Sequence, residues 1–379
     1  MRFVVAAACL VIHLASTSAR ADAPRDFTRE VRTLYAVAAC GEAPPAGFDA
    51  AAVAAHCKQV NAAIATWRDK WLTKAAPFFA ELLKGRASPA TVVYPFGGGD
   101  FVTALAVYPD ATDYTTLSLE GMGDPRPMLA LADAPKRLAA ALAKLRPTVT
   151  MSLGWAWNTT DQLSIESSDT RAGLPNILAL TLIALAAHGY EPLEARYFTV
   201  DDKGALTYVS GEPTTDAGPR KATNSVQQGP FNDIEIVFRK KGDPSAPRKT
   251  FRHFATDLSD TGDGRALAYL ATKKDVGALT KAASYLLWKD SFSKIRDYLL
   301  QHMQLMVSDD TGIPPRYAKP AGFTQEVWGQ YTGSFFGFAK QDVAKEMVAL
   351  WRAQPARPLA FRFGYYDSKR HSHLLFTHR

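Results

Sequence analysis

Cysteine is scarce. The 379 residues include three, Cys9, Cys40 and Cys57, too few for a disulfide-dense scaffold or a thiolate metal cage. There is no G-x-S-x-G, no H-E-x-x-H, and no S-x-x-K with its usual companions. The common serine-hydrolase, zinc-protease and penicillin-binding signatures are therefore missing. After the first residues, no apolar run reaches the roughly 20 positions needed to cross a bilayer. The longest, Leu174 to His188, stops at Gly189 and reads as a buried core helix. Basic residues are plentiful but scattered, which argues against a nucleic-acid partner. Their densest cluster, Arg239-Lys240-Lys241, ends a strand pattern and reads as a solvated hairpin tip.

What is present begins with an export signature. Arg2 supplies a positive start, Phe3 to Ala15 an apolar stretch, and Ala19-Arg20-Ala21 or Ala21-Asp22-Ala23 a small-x-small cleavage pattern. Residues 1–23 are expected to be a signal peptide, which places the mature chain in the periplasm or outside the cell. Cys9 sits too early in the apolar stretch to be a lipoprotein cysteine. The formal charge of +7 loses Arg2 and Arg20 on cleavage and regains one unit if Asp22 also leaves. With Cys9 gone, Cys40 and Cys57 form an even pair flanking the turn Gly41 to Gly47. In an oxidising compartment such a pair is expected to close and to pin a helical hairpin. It lacks the C-x-x-C spacing of a redox pair.

Residues 24–88 read as a helical segment. Val60, Ile64, Trp67, Trp71, Phe78 and Leu82 recur at helical spacing, and Trp67 and Trp71 are expected to pack against the main body. From residue 89 to 379 strands alternate with helices. The strands are Thr91–Phe96, Tyr114–Leu119, Thr148–Leu153 and the hairpins 194–210 and 234–255. Helices follow at Phe101–Tyr108, Ala134–Leu145, Leu267–Trp288, Phe292–Leu305 and Gln341–Arg352. A terminal hairpin pairs Leu359–Tyr366 with His373–Thr377, and Gly211–Pro230 is a surface loop. The fold class is α/β: a Rossmann-like mixed sheet flanked by helices, with an N-terminal helical hairpin and antiparallel strand insertions. The closing hairpin resembles the end of the methyltransferase variety of that sheet.

Four groups of residues could carry chemistry. Gly97-Gly98-Gly99-Asp100 follows a strand and opens a helix, and Glu120 ends the next strand. A nucleotide-binding sheet uses glycines for close backbone approach and an acid at that point for ribose hydroxyls. The G-x-G-x-x-G order is absent, so a tight turn capped by Asp100 is the plain alternative. Asp257, with Asp260 and Asp263, lies just beyond a strand, as general acid/base groups or hard-cation ligands do, or as loop caps. Asp309-Asp310 precedes a Gly-Ile-Pro turn, and paired acids at a strand end need solvent, hydrogen bonds or a ligand. His371 and His373 share a strand face, with His378 beyond; beside Lys369-Arg370 they read as surface histidines, and no metal is assigned. Asp100, Glu120, Asp257 and Asp309 all fall near strand ends, the ligand-binding edge of an open parallel sheet.

Four blocks resemble the recurring segments of a family of uncharacterised secreted proteins of Gram-negative bacteria. They are Val93-Tyr94-Pro95-Phe96-Gly97-Gly98-Gly99-Asp100-Phe101, Leu119-Glu120-Gly121-Met122-Gly123, Lys281-Ala282-Ala283-Ser284-Tyr285-Leu286, and Ser308-Asp309-Asp310-Thr311-Gly312-Ile313-Pro314. The resemblance implies export and bacterial origin and transfers no catalytic residue. The expected function is binding of a small ligand at the strand-end carboxylates, with its cofactor unspecified. The alternatives are hydrolysis of an envelope component, with a divalent cation on Asp257 and Asp309-Asp310, or a non-catalytic structural or interaction role.

Overall fold

A computed structural model describes residues 23–155, 174–213, 229–333, 341–365 and 372–379. The export segment other than Ala23, most of the 211–230 loop, and His371 lie outside them.

Ten strands form one mixed sheet in the order β4-β3-β5-β6-β2-β1-β7-β8-β10-β9. Its centre is parallel: β6 (Lys249–Ala255), β2 (Asp113–Ser118), β1 (Thr91–Pro95), β7 (Val276–Thr280) and β8 (Met303–Ser308). These strands are short, and all but the alternately buried β6 are almost wholly buried, as parallel strands under helices must be. On one flank β5 (Asp233–Lys240), β3 (Tyr190–Val200) and β4 (Leu206–Tyr208) continue antiparallel. On the other, β10 (His373–His378) runs antiparallel between β8 and β9 (Thr324–Gly329).

Helices α1 (Thr28–Val37), α2 (Ala50–Trp67) and α3 (Thr73–Leu83) belong to the same hydrophobic core as the sheet. Cys40 and Cys57 are bridged, with Cα atoms 5.4 Å apart. Trp67 stacks on Trp71, whose indole N–H donates to the carbonyl of Arg362 at 2.5 Å. The apolar helix Asn176–His188 lies in this core with Leu178, Leu182 and Leu185 fully buried, each side chain contributing about 1.5–3 kcal/mol. Gly189, at φ 70°, ends it in the left-handed conformation that glycine adopts without strain.

Three sequence expectations fail, each for a local reason. The expected strand Thr148–Leu153 is the last part of helix α5 (Pro135–Trp155). Leu138, Leu142, Leu145, Val149 and Leu153 form a buried stripe at helical spacing that outweighs the β-branched residues. The expected helix Leu267–Trp288 stops at Leu270, and β7 follows. A short apolar run buried on both faces carries no period that separates strand from helix. The expected terminal hairpin is also different: β10 pairs with β8 and β9, and Leu359–Tyr365 is irregular. Strand β9, at the edge of the sheet, is mostly polar and half exposed.

Candidate functional site

The chain leaves β1 through helix α4 (Phe101–Val107) and returns as β2 on one side, while β7 pairs with β1 on the other. Loops after β1 and β7 thus diverge, and the crevice between them is the topological switch point of the sheet. A cleft of ≈ 130 Å³ opens there. It is lined by residues following β1 (Gly97 to Asp100), β2 (Glu120), β6 (Thr256, Asp257) and β7 (Lys281 to Ser284), closed by Tyr365. Of the residues singled out from sequence, Gly97, Gly98, Gly99, Asp100, Glu120 and Asp257 meet in this cleft.

Two glycines of the loop are tightly packed. A Cβ on Gly97 would lie 2.8 Å from the Tyr94 ring, and one on Gly99 2.7 Å from Leu180 of the core helix. Asp100 does not cap the backbone of α4. Its carboxylate accepts from Tyr94 Oη (2.7 Å), Thr103 Oγ1 (2.8 Å) and Lys281 Nζ (2.6 Å). Lys281, 1% exposed at its side chain, also donates to Thr103 Oγ1 at 2.7 Å. Burial, and Asp100 after it, push the Tyr94 phenol well above its ordinary pKa, so it remains a donor.

Glu120 is held through its backbone. His253, fully buried on β6, faces the Glu120 carbonyl through Nε2 (2.7 Å) and Thr116 Oγ1 through Nδ1 (2.9 Å). A carbonyl only accepts, so Nε2 carries the proton and Nδ1 receives the threonine hydroxyl. Burial lowers the His253 pKa to about 4, keeping the ring neutral at ordinary pH. Asp257 Oδ1 accepts from the Ser259 N–H at 2.8 Å. Asp260 is a cap: its carboxylate accepts from Ser293 Oγ (2.7 Å) and Lys294 N–H (2.9 Å) at the start of the helix Ser293–His302. Asp263 pairs with Arg265.

Asp309 and Asp310 do not line the cleft. Both are fully buried. Asp309 Oδ2 accepts from the N–H groups of Ala282 and Tyr365, each at 2.9 Å, and Oδ1 from the Thr311 N–H (3.0 Å) and hydroxyl. Burial, and then the neighbouring Asp310, raise the Asp309 pKa; the hydrogen bonds from Thr311 and Tyr365 oppose that rise. Asp310 accepts from Tyr285 Oη (2.7 Å) and lies 3.0 Å from His373 Nε2. His373 is therefore a core residue and not the surface histidine that its basic neighbours suggested. His378 sits between Arg86 and Glu326. Among the described residues no group of three or more His, Cys, Asp or Glu is placed to hold a metal ion.

The loops carry strain. Phe96, Ala282, Ser284 and Tyr285 all adopt left-handed φ values between 50° and 62°, conformations that cost non-glycine residues about 1–3 kcal/mol and persist where surroundings over-determine them. Here Asp309 grips Ala282, Thr311 Oγ1 accepts from the Ala283 N–H (3.1 Å), and Asp310 holds Tyr285 and, through its carbonyl, Trp288. The two acids thus shape the β7 side of the cleft from behind.

One nearby group titrates near neutrality. Burial pushes Asp233, whose Oδ1 accepts from the Ala255 N–H (2.8 Å), up to about 7. Between about pH 4 and 7 the folded state keeps a proton that the unfolded chain releases, so this group's stability contribution is lost across that window. His188 and His253, both lowered to about 4, act oppositely and add stability as pH rises from 4 to 6.5. We expect Asp233→Asn to gain on the wild type by roughly 2 kcal/mol between pH 4.5 and 7. Parallel melting curves across that range would contradict the assignment.

Lys281, His253 and Tyr94 were missed from sequence. Lys281 lies inside the run Leu267–Trp288 taken for helix; a strand ending at Thr280 would have placed a lysine at the sheet's ligand edge. His253 lies inside a strand pattern, where alternation marks burial and says nothing of a partner. No family model, no curated protein and no solved structure matches this chain.

Proposed function

We propose that this chain is an exported protein that binds a small ligand in the switch-point crevice, with hydroxyl or amine donors directed to Glu120 and Asp257. The observation that carries the reading is convergence. Residues separated by up to 184 positions supply a glycine loop, two strand-end carboxylates and a buried ammonium to one small cleft. The strained residues around it support the same view, since such conformations cluster where geometry is held for a purpose. The Cys40–Cys57 bridge and the absence, among the described residues, of any helix long and apolar enough to cross a membrane fit export. The resemblance to secreted Gram-negative proteins agrees.

The cleft suits a vicinal diol, as in a ribonucleoside or a sugar. Hydrolysis at a cation shared by Asp257 and Asp309-Asp310 has no observation in its favour, since the latter pair is closed off from the cleft. A purely structural role leaves the strained loops unexplained.

Melting of the mature protein with millimolar adenosine or D-glucose tests the reading, since binding to the folded state raises the midpoint by mass action. Glu120→Gln keeps the shape and removes the charged acceptor, and should weaken binding about 10-fold or more. If neither compound shifts the wild-type midpoint, the diol reading is wrong.

A further inference from the structure

We infer that the other end of the same crevice is a carboxylate subsite, formed by Lys281 and the backbone N–H groups of Gly98 and Gly99, so that the ligand is a polyhydroxy acid. The inference rests on the diol reading of Glu120. An ammonium has three donors. Lys281 gives one to Asp100 and one to Thr103, and among the described residues the third has no protein acceptor. In the glycine loop, the Gly97 N–H donates to the Leu117 carbonyl and the Asp100 N–H to the Gly97 carbonyl. Those of Gly98 and Gly99 have no acceptor among the described residues. All three residues line the cleft, and two of them, Gly99 and Lys281, are buried. Unmatched buried donors are costly, and here they gather opposite the acceptors Glu120 and Asp257.

The crevice is therefore bipolar: donors face the β1–β7 end and acceptors the β2–β6 end. Lys281 is already paired with Asp100, so this end offers N–H donors without net positive charge, which a monoanion tolerates better than a dianion. That favours a planar carboxylate over a phosphate dianion. Glu120 follows β2 and Lys281 follows β7, with β1 between them, so the two ends stand about two strand spacings, roughly 10 Å, apart. Allowing a hydrogen bond of about 2.8 Å at each end, the ligand's hydroxyls and carboxylate are separated by about 5 Å. A six-carbon sugar acid and a nucleoside 5′-carboxylate both span that distance.

Calorimetric titration with two matched pairs of probes tests this: D-glucuronate against D-glucose, and adenosine-5′-carboxylate against adenosine. In one pair the acid should bind at least about 10-fold tighter than its neutral partner, and the pair that shows the gain names the source. In Lys281→Gln the acid-to-neutral ratio should fall below about 2-fold. The double variant Asp100→Asn/Lys281→Gln, which strands no charge, serves if the single one does not fold. Equal affinity for acid and neutral probes overturns the subsite and leaves the diol reading standing. Binding by none of the four removes both. A preference that survives loss of Lys281 places the carboxylate elsewhere and overturns the assignment.

Discussion

Asp309→Ala should destabilise the protein by about 3–5 kcal/mol, the range for removing one member of a satisfied buried polar network. The loss comes from what the carboxylate leaves behind. The N–H groups of Ala282, Tyr365 and Thr311 lose their acceptor, and each orphaned buried donor costs about 1–3 kcal/mol before water or relaxation relieves it. The strain at Ala282, Ser284 and Tyr285 is also released, which offsets part of the cost and lets the loop after β7 move. Ligand affinity should therefore fall along with stability, although Asp309 touches no ligand. Denaturant titration of Asp309→Ala beside Asp257→Ala separates the two roles of acid. The cleft-lining Asp257 should cost under about 1 kcal/mol, as solvated positions do. Equal effects would mean that Asp309 is no frame. Gly364 guards the same corner: it has φ 64°, and a Cβ there would lie within 2.2 Å of the Asp309 carboxylate, so even alanine is excluded.

That result would also explain why the sequence marked Asp309 and misjudged its task. Paired acids after an apolar run are conspicuous because they need compensation, but sequence does not say whether solvent, a ligand or backbone supplies it. Here backbone does, through Ala282 and Tyr365, 27 and 56 residues away. The local signals were more legible. The glycine turn, the acid 20 residues after Asp100, and Gly189 as a helix stop depend on neighbours in the chain, and the structure places them as read. Elements that failed were decided by burial at a distance. Val276–Thr280 is a strand because β1 and β8 pair with it on either side and it is buried throughout, and α5 stays helical through Thr148 because its leucine stripe meets α2 and the core. Lys281 was hidden by the same error, since its meaning depends on ending a strand.

Removing the bridge, as Cys40→Ser/Cys57→Ser or by reductant, should cost about 3 kcal/mol, the loop-entropy estimate for cysteines 17 positions apart. Little of that loss should arise in the folded state. The end of α1 is held to α2 without the sulfurs: His56 Nε2 lies 2.9 Å from the Ala38 carbonyl, and Arg32 pairs with Glu42. Asp49 caps α2 by accepting from the N–H groups of Ala51 and Ala52. The unfolded chain, in contrast, gains the freedom that the bridge denied it. The variant should therefore melt lower yet keep its ligand affinity, because no cleft residue lies between Cys40 and Cys57. This is the opposite of the joint loss expected for Asp309→Ala. The comparison also bears on compartment: a chain that depends on the bridge for a third or so of a typical stability of about 5–15 kcal/mol is adapted to oxidising surroundings. An unchanged midpoint in both the variant and the reduced wild type would show that packing suffices, and export would then rest on the N-terminal segment alone.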